Sequence, residues 1–314
     1  MDDQTARFIF LFLDGVGLGA AKATNPLAAI AAMPFLTELL GGPLVAGQST
    51  HQARVLCQSI DATLGVPGLP QSATGQTALF TGCNAPAFLG RHQSAFANGS
   101  LRTLIAAHGM FKQVLHLGGT VTHANLYSPG YFEAIAQRRR RYSVGTLLAL
   151  TAGVPFRMGG ESDRQQAISW DITGEYVNQR GGNLSPVPPA TAGERLAAIG
   201  SQHHLTLFEC YLPDYAGHSQ DTAQVMQVLQ LVDAFIASVV AHLPPHLNLV
   251  ISSDHGNVEE SWHPHHTLNP VPLIVIGPQA PAFQSLQDIT GITPKMVELL
   301  QLSSNATPSL NYVL

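Results

Sequence analysis

The stretch Leu247-Asn-Leu-Val-Ile-Ser-Ser-Asp254-His255-Gly-Asn-Val-Glu-Glu-Ser-Trp-His263-Pro-His265-His266-Thr-Leu-Asn-Pro-Val-Pro272-Leu-Ile-Val-Ile-Gly277 sets an ionisable loop between two apolar runs. The runs Leu247–Ile251 and Leu273–Ile276 have the length and branched side chains of buried strands. Between them stand an Asp-His pair and a His-x-His-His cluster. Carboxylate and imidazole together suit Zn²⁺ or Mn²⁺, and a loop between buried strands lets such ligands converge outside the core. The same residues also suit an ordinary polar surface loop, because the chain has 14 histidines.

Two further strand ends repeat the arrangement. Phe8–Leu13 is an unbroken apolar run of the kind expected for a strand covered on both faces, and it ends in Asp14-Gly-Val-Gly-Leu-Gly19. Leu205–Leu212 ends in Pro213-Asp214-Tyr-Ala-Gly-His218. A lone Asp after a strand is ordinarily a turn former or helix cap. Three strands that each finish in Asp, two of them followed by His at the first or fourth position, favour one shared site. In open α/β sheets ligands bind outside the carboxyl ends of the strands.

With 314 residues and 45% hydrophobic content the chain can bury a large core, either as one α/β domain or as a domain with a smaller insertion. Charged residues make up 11%, against about 25% in an average soluble protein, so each acid is informative. A net charge of −5 argues against general nucleic-acid binding. Cys57, Cys83 and Cys210 show no CxxC spacing, which argues against a disulfide framework or a cysteine-based zinc site. No secretory leader and no apolar run of membrane-spanning length are read, so the expected location is cytoplasmic.

Asn25–Leu40 has helical composition with Pro34 as an internal break. Asp61–Gln71, rich in Gly and Pro, is loop, and Ser72-Ala-Thr74-Gly-Gln76 opens a short helix. A hydroxyl there reads as an N-cap, or as a nucleophile beside backbone N–H groups free to hold a phosphate. Farther on, a helix is expected at Ser100–His108, a strand at Lys112–Leu117, a helix at Tyr142–Leu150, a strand at Ala167–Thr173 and a linker at Asn183–Pro189. Thr222–Leu243 has the periodicity of a core helix, Phe283–Leu302 that of a final amphipathic one, and the last dozen residues form a polar tail. Arg138–Arg141 suits a solvated helix face. Alternatively, one or two of Arg91, Arg138–Arg141, Arg157 and Arg164 grip a phosphate or carboxylate. Asn257 and Glu259 stand beside the candidate ligands, as exposed loop residues or as groups that orient them.

Leu13-Asp14-Gly-Val-Gly, Gln71-Ser72-Ala-Thr-Gly, Asp214-Tyr-Ala-Gly-His218, Ser253-Asp254-His255-Gly-Asn and His266-Thr-Leu-Asn-Pro-Val-Pro resemble the successive motifs of the alkaline phosphatase superfamily of metalloenzymes. They are most similar to the branch holding cofactor-independent phosphoglycerate mutase and phosphopentomutase. Gln76 departs from that branch, whose mutases usually carry His there.

The resemblance implies an α/β, alkaline phosphatase-like core of largely parallel sheet flanked by helices. Residues 1–89 and 196–314 would form this catalytic domain, and 90–195 a small inserted α+β cap. It further implies two divalent cations, Mn²⁺ or Zn²⁺. One would be held by Asp14, Asp254, His255 and the Ser72 hydroxyl, the other by Asp214, His218 and His266, with His263 and His265 outside the set. Ser72 would attack a small phosphomonoester and become a phosphoserine. Water would then release phosphate, as in a phosphatase, or a substrate hydroxyl would take the phosphoryl group back, as in a mutase. Arg91, Arg157 and Arg164 are the candidate substrate contacts. The expected partner is the phosphorylated substrate, with no nucleic acid or membrane, on a monomer or weak homo-oligomer. The metal ligands also suit a nucleotide pyrophosphatase or phosphodiesterase, and a metal-binding scaffold without turnover. A sulfatase is disfavoured because Cys/Ser-x-Pro-x-Arg is missing at Ser72.

Overall fold

A computed structural model describes residues 6–159, 166–300 and 302. Strand β1 (Arg7–Leu13) is an interior strand of a seven-stranded sheet. With β2 (Thr50–His51), β3 (Val55–Ile60), β4 (Val121–His123), β5 (Leu205–Cys210), β6 (Leu247–Ser252) and β7 (Val271–Ile276), the spatial order is β2-β3-β7-β6-β1-β5-β4. β1 pairs in parallel with β5 and β6, and β4 in parallel with β5. β7 is antiparallel to both β6 and β3, and β2 is antiparallel to β3. The sheet is therefore mixed but mostly parallel, and β1, β5 and β6 deliver Asp14, Asp214 and Asp254 to one edge.

The apolar run of β1 is explained by burial on both faces. Phe8, Phe10 and Phe12 enter one core cluster, while Ile9, Leu11 and Leu13 enter the other. On the phenylalanine side lies the Ser72–Thr81 helix, whose Phe80 ring meets Phe10 and Phe12 edge-on at 5.9 and 5.6 Å. That helix is buried from Ala73 to Thr81. Its hydroxyls are satisfied internally, Thr77 donating to the Ala73 carbonyl and Thr81 to the Thr77 carbonyl. On the other face Thr222–Ala241 packs against Pro189–Ser201. By length and composition alone Thr222–Ala241 could cross a membrane, contrary to the reading that no run was long enough. In this fold its stripe from Val225 to Val239 is buried, and Asp233 accepts the amides of Phe35 and Leu36.

Several expected elements take another form. Lys112–Leu117 is not a strand but part of the helix Met110–His116, because Met110, Phe111 and Val114 recur at helical spacing and are buried. The sheet strand of that region is β4, a few residues later. Ala167–Thr173 forms only single bridges, from Ile168 to Asn125 and from Ser169 to Ile172. Ile172, at φ +66°, turns the chain back on itself. Pro34 begins a helix, Pro34–Leu40, where its missing N–H costs nothing, and the residues before it form short 3₁₀ turns. The final helix is shorter than expected, Ile292–Leu299. The polar tail lies outside the described residues. The helices Gly99–His108 and Val144–Ala152 stand near their expected places. Within the stretch 90–195, β4 belongs to the sheet, and Leu101, Phe111 and Leu148 share a core with Phe10 and Phe80.

Phe80→Ala should remove the contact that seats the Ser72 helix on β1. The expected loss is about 3–5 kcal/mol of unfolding free energy, measurable by urea denaturation of the metal-free protein.

Candidate metal centre

Four segments meet at the carboxyl edge of the sheet. Asp14 follows β1, the loop after β3 leads to Ser72, the helix Leu212–Ser219 after β5 carries Asp214 and His218, and the loop between β6 and β7 carries Asp254, His255 and His266. On a helix, positions four apart share a face, which aligns Asp214 with His218. Their atoms Oδ2 and Nε2 stand 3.3 Å apart.

The centre of the cluster is His255 Nε2. It lies 3.1 Å from Ser72 Oγ, 3.4 Å from Asp14 Oδ1 and 3.6 Å from Asp254 Oδ2. Ligands bound tetrahedrally at about 2.1 Å from one ion stand about 3.4 Å from each other, and the three distances from His255 Nε2 are close to that value. A second group forms around Asp214, with His266 Nε2 3.8 Å from its Oδ1. His255 and His266 stack with ring centroids 3.6 Å apart, and ligand atoms of Asp214, His255 and His266 all lie within 4.8 Å of one another. His255 therefore stands between the two groups, nearer the first. His218 is the outermost member, its side chain 41% exposed.

The imidazoles are aimed by their other nitrogens. His266 Nδ1 bonds to the Pro70 carbonyl and His218 Nδ1 to the Pro264 carbonyl, leaving each Nε2 toward Asp214. Gly15, at φ +71°, lets the turn after β1 pass close to Asp214: a Cβ there would sit 2.7 Å from its Oδ1. Gly75 similarly admits the Ser72 helix against Asp254, where a Cβ would lie 2.8 Å from the Asp254 Cβ.

Burial and mutual repulsion shape the titration. Burial, then the charges of Asp254 and Asp214, hold the Asp14 carboxyl well above its ordinary range. Burial and Asp214 push Asp254 up to about 8. At Asp214 burial also pushes upward, but the His218 hydrogen bond, the charge of His255 and the Asn257 amide outweigh it and bring the carboxyl to about 2. His255 is lowered to about 3 by burial and by His266. His266 is lowered by burial, and His218 is raised by its bond to Asp214. Neutral imidazoles are ready to donate lone pairs, and the buried Oδ1 atoms of Asp14 and Asp254 have no hydrogen-bond partner. Crowded carboxylates, neutral imidazoles and orphaned buried oxygens fit divalent cations.

Other expected residues fall differently. Ser72 is not an N-cap: Gln71 holds that position, and the Ser72 hydroxyl faces His255. The helix start is not a free anion site either, because the amides of Ala73 and Thr74 both donate to the Gln93 carbonyl. Thr74 is structural, donating to the Gln71 carbonyl and accepting the Gln93 amide. His263 pairs with Glu260, and His265 is exposed. Arg91 is exposed on the loop that carries Gln93. Arg157 binds its own chain, at the Gln166 carbonyl and the Thr122 hydroxyl. Arg164 lies outside the described residues. Arg138–Arg141 are exposed.

Asn257 and Glu259 are not exposed loop residues; both are fully buried. Asn257 donates to Asp214 Oδ1 at 2.7 Å. Glu259 accepts the amides of Gly17 and Asn257 through Oε2, and the Thr267 hydroxyl and Asn269 amide through Oε1. It thus ties the turn after β1 to both ends of the β6–β7 loop. Gln76 donates to Asp254 Oδ2 at 3.3 Å, which gives the departure at that position a role in orienting a candidate ligand. The buried pair His123–Glu209, 2.8 Å apart beneath the site, joins residues separated by 86 positions, and no local pattern announces it.

Residues 190–304, which hold five of the candidate ligands, match the model of the metalloenzyme superfamily. A 119-residue stretch is 33% identical to the 2,3-bisphosphoglycerate-independent phosphoglycerate mutase of Roseobacter denitrificans, covering 35% of this chain and 23% of that protein. The chain thus spans about a quarter of the length of the curated relatives it matches. Among solved structures, a protein from Pyrococcus horikoshii superposes with a TM-score of 0.58 at 13% identity, over 97% of this chain and 99% of that one. The alkaline phosphatase of the Antarctic bacterium TAB5 superposes at 0.52 and 13% identity, over 95% and 99%. The fold is alkaline phosphatase-like.

The raised carboxyls make a signed prediction. Asp254 has an ordinary value of 3.8 and rises to about 8 in the metal-free fold, so its contribution to stability is complete below about pH 4 and lost as pH rises through 8. Between pH 7 and 9, above the histidine range, the melting temperature of chelator-treated protein should fall, and added Mn²⁺ should abolish the fall. A flat metal-free profile would remove the argument from carboxylate crowding.

Proposed function

We propose that this chain is a metal-dependent phosphoryl-transfer enzyme acting on a small phosphomonoester through Ser72. The observation that supports this reading best is the convergence of Ser72 Oγ, Asp14 Oδ1 and Asp254 Oδ2 on His255 Nε2 at 3.1–3.6 Å. Asp14, Asp254, His255 and the Ser72 hydroxyl would hold one divalent cation, and Asp214, His218 and His266 the other. Bound there, the two cations would lower the pKa of the Ser72 hydroxyl and neutralise the oxygens of the phosphate. The mixed oxygen and nitrogen donors suit either Mn²⁺ or Zn²⁺.

Ser72 Oγ, at the first position of a buried helix anchored on β1, attacks phosphorus as the bond to the ester oxygen breaks. The alcohol departs and a phosphoserine remains. Gln76, Asn257 and Glu259 keep the carboxylates in place during both steps, through the bonds described above. Ser72 is only partly buried and His218 is exposed, so water can reach the phosphoserine. That access favours hydrolysis, whereas the similarity to phosphoglycerate mutases favours return of the phosphoryl group to a substrate hydroxyl.

The test is a metal-supplemented assay that reads phosphate release and isomer formation in parallel, on phosphoglycerates, pentose phosphates and an aryl phosphate. Ser72→Ala should lower turnover by at least about a thousandfold while two metal equivalents remain bound. Asp214→Asn should lose one equivalent by elemental analysis. Retained turnover in Ser72→Ala would exclude the serine as nucleophile, and a silent wild-type protein with two ions bound would favour a scaffold.

A further inference from the structure

The helix that supplies Asp214 and His218 carries a second stripe. Tyr211, its N-cap, and Tyr215 are also four apart, and their stripe is rotated by one residue, about 100°, from the ligand stripe. Tyr215 is 46% exposed although it adjoins a candidate ligand. Its ring is backed by two aromatic rings from the stretch 90–195, Trp170 at 5.4 Å and Tyr176 at 5.7 Å. The Arg180 guanidinium lies 4.4 Å from the Tyr176 ring centroid and 5.6 Å from that of Tyr215. Trp170 also meets Tyr211, which in turn packs on Phe12 just before Asp14.

The backing is held in place at a cost. Ile172 is fully buried at φ +66°, a left-handed conformation unfavourable for a branched side chain. The preceding Asp171, also fully buried, accepts the amides of Gly174 and Val177 through its two carboxylate oxygens. Such a strained turn persists only where its surroundings determine it, and this one fixes Trp170 on one side and Tyr176 on the other.

We propose that Tyr215, backed by Trp170, Tyr176 and Arg180, is the subsite for the organic group of the phosphoester, and that this group carries a planar aromatic ring, as in a nucleoside monophosphate. This rests on the phosphoryl-transfer reading. An exposed tyrosine ring beside a guanidinium offers stacking and cation–π attraction, which suit a base or aryl ring. A polyol needs hydrogen-bonding side chains all along one face, whereas this platform is built of planar groups whose polar atoms are two phenols, one indole N–H and one guanidinium.

Adenosine 5′-monophosphate and ribose 5-phosphate share a primary alkoxide leaving group and differ by the base, so their comparison isolates the ring. With the full, Mn²⁺-loaded chain, binding by calorimetry and kcat/KM should favour the nucleotide by about tenfold. Tyr215→Ala should bring the ratio close to one, Tyr215→Phe should preserve it, and Arg180→Gln, at an exposed position, should lower it. The wild-type ratio needs no variant, so it decides the matter even if Tyr215→Ala fails to fold. Equal handling of both esters by the wild type, or an unchanged ratio in Tyr215→Ala, overturns the subsite. Preferential binding of the nucleotide without turnover of either ester supports the subsite and counts against phosphoryl transfer.

Discussion

Like charge buried at the edge of a sheet is the constraint on which this structure depends. Asp14, Asp214 and Asp254 are brought together because β1, β5 and β6 are adjacent and parallel, so that three carboxyl ends open on one place. Left alone, such a cluster would repel itself and take up protons, as the raised carboxyls of Asp14 and Asp254 express. The rest of the site can be understood as an answer to that repulsion. Imidazoles approach with neutral nitrogens, Asn257 and Gln76 donate amide hydrogens, and the remaining oxygens are left for cations.

Glu259 gives the arrangement its rigidity. A buried carboxylate at that point would be costly without partners, yet its two oxygens receive four donors from Gly17, Asn257, Thr267 and Asn269. Because those donors belong to the turn after β1 and to both ends of the β6–β7 loop, Glu259 determines how Asp14, Asp254 and His266 are spaced. Ser253 adds a second tie, accepting the Val16 amide and donating to the His255 carbonyl.

Much of this was legible in the residues. The unbroken apolar strands, the Asp at each strand end and the i to i+4 pair Asp214–His218 are local patterns whose physical meaning does not depend on context. What escaped depended on partners distant in sequence. Asn257 and Glu259 look like polar loop residues until the turns they join are folded over them. The Ser72 helix start looks open until the Gln93 carbonyl is laid across it. Met110–His116 was misread because a short apolar run does not distinguish strand from helix, and only its packing into the core does. The stretch 90–195 is set apart only by the resemblance, and its contribution to both cores depends on contacts distant in sequence.

The interior position of β1 also bears on how the chain is made. Its first residues leave the ribosome with no sheet partner, since Phe8 pairs with Leu205 on one side and with Asn248 on the other. At ordinary rates of synthesis that interval is on the order of ten seconds or more. Throughout it, Phe8–Leu13 is an uncharged strand-forming segment without proline, the composition that favours intermolecular pairing. The strand that organises the finished fold is therefore also a segment open to intermolecular pairing until β5 and β6 have been made.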